Sequence, residues 1–408
     1  MTEKHHDLDL GRTETNIKGS VSAPVFSGVF NDSVTINGIA PSRIPHEIPS
    51  PPEDFTGRDD ELNDLLTHFD KGATITGLRG MGGVGKTALA YMLAEKLRDR
   101  YPDGHLVVEL NGTGEKPLKP SEAMARVIHS YDSKVHLPDD ESSIGNLYRT
   151  FLDGKRALLL LDNAADEKQV MPLQPPKTCG VIVTSRFNLA LPGLKKIDLN
   201  ILKPEKAVEL LLKVYGSDLT SAIFLQHKNA WNEIARLCGY LPLALRAAGS
   251  LLSITRDMSP DSYAKLLDDE RTRLESIGEK GVDKGVEASL LLSYDRLPPQ
   301  MARIFRMLSV FPADFDSQAE EFVCQDKGHE HLRELLRWNL IEYREEIGRY
   351  RLHDLVRIFA VKKHDKDDEY ETASDAKRRH AQYYRYILAS SNQIFREGNE
   401  IQKKLETF

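Results

Sequence analysis

Six residues between positions 80 and 87 carry the most specific chemistry in the chain: Gly80, Gly82, Gly83, Gly85, Lys86 and Thr87. Four of them satisfy G-x-x-x-x-G-K-[ST], and the two extra glycines fall inside it. A chain that must turn its N–H groups inward onto phosphate oxygens needs residues without a Cβ, so this spacing reads as a phosphate-binding loop. Val84 and Ala88 complete the run of backbone that would face the phosphates. Lys86 is expected to reach the β- and γ-phosphates, and the Thr87 hydroxyl to hold Mg²⁺. A nucleotide site of this kind also needs a metal-holding acid at the end of a second buried strand. Asp162, closing the apolar run RALLLLD, is the candidate, with Thr87 as its partner for the metal. Arg186 follows the run VIVTS and is expected to contact a γ-phosphate, because neighbouring strand ends of such sheets share one crevice. Lys86, Asp162 and Arg186 are thus the residues expected to act on a bound nucleotide.

These residues have to be held by an alternation of strands and helices. The pattern predicts an entry helix in DDELNDLLTHF, a strand over 73–77, a helix from Lys86 to about Arg100, a strand over 105–110, helices over 121–130 and 141–152, and strands over 156–162, 180–185 and 195–199. The strands are continuous apolar runs, the pattern of a parallel sheet buried on both faces. The fold class expected is therefore multidomain, α/β plus α: a parallel-sheet P-loop domain over 53–200, a small helical domain over 201–285, and a winged-helix domain over 286–365. The last rests on three helices, VEASLLLSYDRL, MARIFRMLSVF and HLRELLRWNL, followed by a hairpin turning at Glu346-Ile347-Gly348 and a closing helix with Asp354 as its N-cap. Residues 366–408 read as a charged helical segment.

Residues 1–52 read differently. The first 18 are polar and expected to be disordered. Residues 19–42 carry one charge, Asp32, among Val21, Val25, Phe26, Val29, Phe30, Val34 and Ile36, a β-prone composition that fits either a strand on the body or a homotypic contact. Residues 40–52 form a proline-rich spacer.

Composition narrows the function classes. The chain has 408 residues, 29% of them charged, and a net charge of −7. That balance argues against a protein devoted to coating nucleic acid or an anionic membrane. Cys179, Cys238 and Cys324 have no C-x-x-C spacing and read as reduced, buried thiols of a cytoplasmic protein. No apolar run reaches the length of a membrane span.

Beyond the loop, an ordered set of short motifs appears: FTGRDDEL at 55–62, GMGGVGKTALA at 80–90, LLLLDN at 158–163, VTSR at 183–186, GYLPLA at 239–244, LSYDRLP at 292–298 and LHD at 352–354. With this set the chain resembles the NB-ARC branch of the STAND NTPases, the switch ATPases of plant resistance proteins and apoptotic protease-activating factors, and it looks most like bacterial members. The resemblance covers about residues 52–365 and implies three further contacts. Arg58 would lie beside the base, Pro242 would pack on the adenine, and His353 would hydrogen-bond the β-phosphate of ADP. From the residues alone Pro242 reads as a helix boundary and His353 as an ordinary surface or core histidine. Two positions depart from the family pattern. Asn163 stands where many members have a second acid, so hydrolysis should be slow, and Leu352 replaces a methionine of similar volume.

The expectation is a signalling switch, closed on ADP and self-associating on ATP and Mg²⁺, a slow ATPase serving bacterial defence or regulation. The alternative is a DNA-binding ATPase or transcriptional regulator that uses the winged helix. Against it, HLRELLRWNL pairs Arg333 and Arg337 with Glu330 and Glu334 and spends Leu332, Leu335, Leu336 and Leu340 on packing, whereas a groove-reading helix needs a basic, polar face.

Overall fold

Alternate residues of the run Leu158–Leu161 join opposite hydrophobic cores, Leu158 and Leu160 on one face of the sheet and Leu159 and Leu161 on the other. A strand that is apolar on both faces must lie between two layers of helices, and that requirement explains the architecture. In this computed structural model the described residues are 44–72, 74–114, 116–277, 284–345, 347–367 and 373–397, and they belong to one unit, residues 43–408. The segment 19–42 and its β-prone expectation lie outside them.

The chain enters through α1 (Asp59–Asp70), β1 (Ile75–Arg79), α2 (Lys86–Lys96), β2 (His105–Glu109), α3 (Pro120–Tyr131), α4 (Glu141–Leu152), β3 (Leu158–Ala164), the short α5 (Glu167–Val170), β4 (Gly180–Ser185) and β5 (Lys195–Asp198). The five strands form one parallel sheet in the order β2-β3-β4-β1-β5. Its central strands β3 and β4 are buried throughout, and β5 is an exposed edge. At the other edge the backbone around His46 adds a short parallel bridge to β2, with Glu47 N–H donating to the His105 carbonyl at 2.7 Å. The proline-rich spacer thus continues onto the body, where Ile48 is buried.

Helices follow: α6 (Pro204–Tyr215), α7 (Ala222–Gln226), α8 (Lys228–Leu237), α9 (Pro242–Ile254), α10 (Pro260–Ile277), α11 (Lys284–Tyr294), α12 (Pro299–Leu308), α13 (Ser317–Cys324) and α14 (Glu330–Arg337). The antiparallel hairpin β6 (Glu342–Arg344) and β7 (Arg349–Arg351) leads into α15 (Asp354–Asp367), and α16 spans Ala373–Glu397. α6, α8 and α9 pack around the fully buried Trp231 and Leu211, in the core that also takes in α2 and α15. The three cysteines are buried thiols outside any disulfide.

Sequence periodicity and structure differ at three points. The helix after the loop ends at Lys96, and Arg98–Arg100 is a separate tight turn. α13 was not expected from the sequence; Asp316 starts it by accepting from the Ala319 N–H at 2.7 Å. Third, His353 rather than Asp354 is the N-cap of α15. Its carbonyl accepts the first helical bond from Arg357 and its Nδ1 accepts from the Leu355 N–H at 3.2 Å, which frees the Asp354 carboxylate for other elements. Among the described residues no helix is long and apolar enough to cross a membrane.

Candidate functional site

The loop between β1 and α2 turns through two glycines with positive φ, Gly83 at 77° and Gly85 at 95°, the latter serving as N-cap of α2. Side chains would be strained there, so the glycines are what lets the backbone wrap and present the unpaired N–H groups of the first turn of α2. Lys86 leans back over the loop and donates to the Gly80 and Met81 carbonyls at 3.0 and 2.9 Å. Burial, and after it the neighbouring Arg186, pull its ammonium down to about 8 against the opposing effect of Asp162 and Asp354. Thr87 donates to both oxygens of Asp162, at 2.9 and 3.2 Å.

Asp162 is buried at the C-terminal end of β3 and also accepts from the Thr184 hydroxyl of β4. The next residue, Asn163, has φ 57°; its N–H donates to Thr184 Oγ1 at 2.8 Å, and its amide donates to Thr113 at 3.1 Å and to Asp354 at 3.2 Å. Gly112 permits this crossing, since a Cβ there would lie 2.2 Å from the Ala165 nitrogen. An acid in place of Asn163 could not donate and would repel Asp354, so the amide has a structural role that the departure from the family pattern did not reveal. Asp354 further accepts from Thr113 at 2.8 Å and from Arg186 at 3.4 Å. Burial alone would raise its carboxyl; His353, the Thr113 hydroxyl, Arg351 and Arg186 hold it below the usual carboxylate range.

These groups open onto a cavity of about 320 Å³. Arg58, Gly82, Gly83, Val84, Gly85, Lys86, Thr87, Ala88, Asp162, Arg186, Pro242 and His353 all line it; Gly80 stands just behind, with Lys86 on its carbonyl. The cavity lining also includes the apolar residues Pro49, Pro52, Phe55, Pro242 and Leu243, the last two lying against Gly85 and Gly83 of the phosphate loop. Arg58 is buried, with its guanidinium donating to the Val84 carbonyl at 3.0 Å, the Asn200 carbonyl at 2.7 Å and Glu61 at 2.8 Å, so it braces the loop from behind. Leu243 donates its N–H to the Gly83 carbonyl at 3.3 Å, and an Arg246–Asp54 ion pair ties α9 to the strand-like lead-in. His353 accepts at Nδ1, leaving Nε2 as the protonated nitrogen of a ring that burial pushes below its ordinary pKa.

Sequence reasoning passed over Glu109, Thr113, Arg246 and Arg351. Glu109 had a weaker signal: it is the one acid in HLVVEL, next to last in that run, and it is the register partner of Asp162 on β2 and β3. Arg351, two residues before His353, had none beyond proximity. Its guanidinium lies 2.6 Å from Glu109 and 3.7 Å from Asp162.

Comparison with known proteins finds relatives of this chain. Residues 57–219 match the NB-ARC domain family. The Streptomyces coelicolor regulatory protein AfsR is 36% identical over 334 residues, covering 78% of this chain and 33% of that protein. A probable disease resistance RPP8-like protein of Arabidopsis thaliana is 24% identical over 350 residues, covering 76% of this chain and 38% of that one. The chain spans about a third of the length of these curated relatives. Among solved structures, a STAND protein with a tetratricopeptide repeat sensor from Pyrococcus horikoshii superposes with a TM-score of 0.55 at 19% identity, over 86% of this chain and 47% of that one, a likeness of fold. With the phosphate loop, the Asp162 strand and the parallel sheet in place, the chain is a member of the NB-ARC-type STAND P-loop NTPases, related to bacterial regulatory proteins and plant resistance proteins.

Proposed function

We propose that the protein is a nucleotide-operated switch in which ADP holds a closed form together and ATP with Mg²⁺ favours an open form that self-associates. The observation that carries the reading is the single cavity lined at once by Lys86 and Thr87 after β1, Pro242 at the start of α9, and His353 at the start of α15. In the domain terms used above, these are the P-loop domain (53–200), the helical domain (201–285) and the winged-helix domain (286–365). A ligand filling that cavity touches all three, so its identity can bias how they associate.

The roles of the side chains follow from their positions. Lys86 and the N–H groups of the loop and of α2 neutralise and orient the phosphates. Pro242 and Leu243 offer a face for the base. The neutral His353 ring would donate from Nε2 to a β-phosphate oxygen, a bond to a charged group worth about 1.5–3 kcal/mol. A complete reversal of a two-state equilibrium needs about 5.5 kcal/mol, so this bond biases the switch and needs the Asp354 contacts beside it. Arg186, engaged with Asp354 in this form, would have to leave that partner to reach a third phosphate, which favours a diphosphate in the closed state. The site suits Mg²⁺, because a hydroxyl and a carboxylate, Thr87 and Asp162, already lie side by side on the cavity wall. Bound there, Mg²⁺ would neutralise charge on the phosphates. Without an acid at 163, hydrolysis would be slow and would serve to reset the switch. The placement in bacterial regulation or defence leans on the relatives' names, and the cytoplasm on the same likeness.

Denaturing purified protein and identifying what is released tests the reading directly. ADP in near-stoichiometric amount is expected from the native chain and none from Lys86→Ala; a native chain that releases no nucleotide and binds none when supplied with it overturns the proposal. The competing reading as a DNA-binding regulator finds little support in α14, where Arg337 is paired with Glu334 at 2.9 Å and Leu332 and Leu335 are buried.

A further inference from the structure

Beside the phosphate end of the cavity, a buried and a half-buried carboxylate on neighbouring strands share one cation. Glu109 and Asp162 are opposite one another in the β2–β3 register; Asp162 and Arg351 line the cavity, and Glu109 is joined to it through Arg351. Arg351, on the last residue of the hairpin, places one guanidinium nitrogen 2.6 Å from Glu109 and another 3.7 Å from Asp162. Both acids are largely screened from solvent, with side-chain exposures of 24% for Glu109 and 2% for Asp162. Two carboxylates so placed need a positive partner, because an unpaired buried charge is costly. The hairpin supplies it.

The same pair has the makings of a metal seat. A small divalent cation in a phosphate-binding site takes one or two carboxylates together with a hydroxyl, water and phosphate oxygens, and the Thr87 hydroxyl is already within 2.9 Å of Asp162. A divalent cation and a guanidinium drawn to the same pair of carboxylates would lie a few ångströms apart and repel each other. We infer that Glu109 joins Asp162 as a second carboxylate of the divalent-cation seat, and that the Arg351 guanidinium is its built-in competitor, so that metal loading and docking of the β6–β7 hairpin oppose each other. This rests on the reading of the cavity as a nucleotide site, and it adds to that reading a route by which the metal, separately from the third phosphate, loosens the contacts made by His353 and Asp354, two and three residues after Arg351 in the chain. Arg344 on the other strand donates to Tyr91 at 3.1 Å and pairs with Asp314 at 2.8 Å, so it stays with its own partners and offers no replacement cation.

The test titrates Mn²⁺, followed by the electron paramagnetic resonance of the free ion, into the full chain with its bound nucleotide quantified in the same sample. Arg351→Gln should tighten Mn²⁺ by about tenfold or more, Arg351→Lys should leave it within about threefold of the native chain, and Glu109→Gln added to Arg351→Gln should weaken it again. Coupling of this kind is reciprocal, so in the unmutated chain Mn²⁺ should speed hydrogen exchange of the amides over 342–351, a readout that stands even if the Arg351 variant folds poorly. Unchanged or weaker Mn²⁺ binding by a folded Arg351→Gln, or exchange over 342–351 that Mn²⁺ leaves unmoved, would overturn the inference. Loss of nucleotide from Arg351→Gln with Mn²⁺ affinity unchanged would also overturn it and make Arg351 a phosphate ligand. Failure of the underlying reading looks different: the native chain would carry no nucleotide at all.

Discussion

Two seams close the cavity, and they are built from opposite materials. Along the first, α9 meets the phosphate loop through Pro242, Leu243 and the Leu243–Gly83 backbone bond. Along the second, the hairpin and the start of α15 meet the sheet through charges: Arg351 with Glu109 and Asp162, Asp354 with Arg186, Asn163 and Thr113. Leu355 adds an apolar touch against the loop, close enough that a Cβ on Gly82 would come within 3.1 Å of it. The apolar seam owes its strength to buried area, which is indifferent to what charge occupies the cavity. The charged seam is made of the groups to which a phosphate or a metal ion would speak. The contrast locates the hinge of the proposed switch on the α9 side and its latch on the hairpin side.

The sharpest way to break the contrast is to remove the ligand's anchor. Lys86→Ala should abolish nucleotide retention and, with it, any difference between the ADP and ATP states; retention at native level by this variant would remove the loop from the account. Next in size is the latch itself. Asp354→Val deletes hydrogen bonds to a charged group worth about 1.5–3 kcal/mol each, so a ten- to hundredfold shift toward the open, self-associated form is expected by light scattering; a monomer indistinguishable from the native chain would count against the latch. His353→Ala should act in the same direction.

Acidity offers a third probe. Burial lowers the Lys86 ammonium to about 8, and a phosphate beside it would raise that value by stabilising the charged form. The free site therefore loses its charge as pH rises through about 8 while the occupied site keeps it, so affinity should fall by up to about tenfold per unit above that pH. Calorimetry of ADP binding at two alkaline pH values checks the sign; binding that strengthens there contradicts the placement of Lys86. Asn163→Asp, which replaces a donor to Asp354 with a like charge, is expected to weaken the latch by about tenfold, measured as the same shift in mass. The smallest effect should come from the hinge side. Leu243→Ala removes part of a half-buried contact worth about 1 kcal/mol, lowering the melting temperature slightly and leaving the nucleotide-dependent change in mass intact. If it moved the switch as far as Asp354→Val does, the division into hinge and latch would be wrong.

How much of this was legible beforehand follows from the physics of each element. The loop was readable because the turn and the phosphates dictate residue types at fixed spacing, and Asp162 because a doubly buried strand leaves a continuous apolar run. The parallel sheet followed from the same runs. The meeting of Pro242 and His353 at the loop was implied only by the resemblance, and the side-chain contacts that close the cavity were not readable, since they depend on partners far apart in sequence: Asp354 meets Thr113, and Arg351 meets Glu109, across more than half the chain. Asn163 shows the limit most clearly. As a sequence position it is only a missing acid, while in the fold it is a donor held by its positive φ between Thr113 and Asp354. The capping role of His353 was hidden for a related reason, because histidine is not among the usual N-cap residues.

The central claim is that nucleotide identity sets whether the latch is closed. Molar mass by light scattering should be measured on the same preparation loaded first with ADP and then with a non-hydrolysable ATP analogue and Mg²⁺. The account predicts a monomer in the first case and a larger species in the second, with Asp354→Val already enlarged on ADP; one unchanging mass across all three would contradict it.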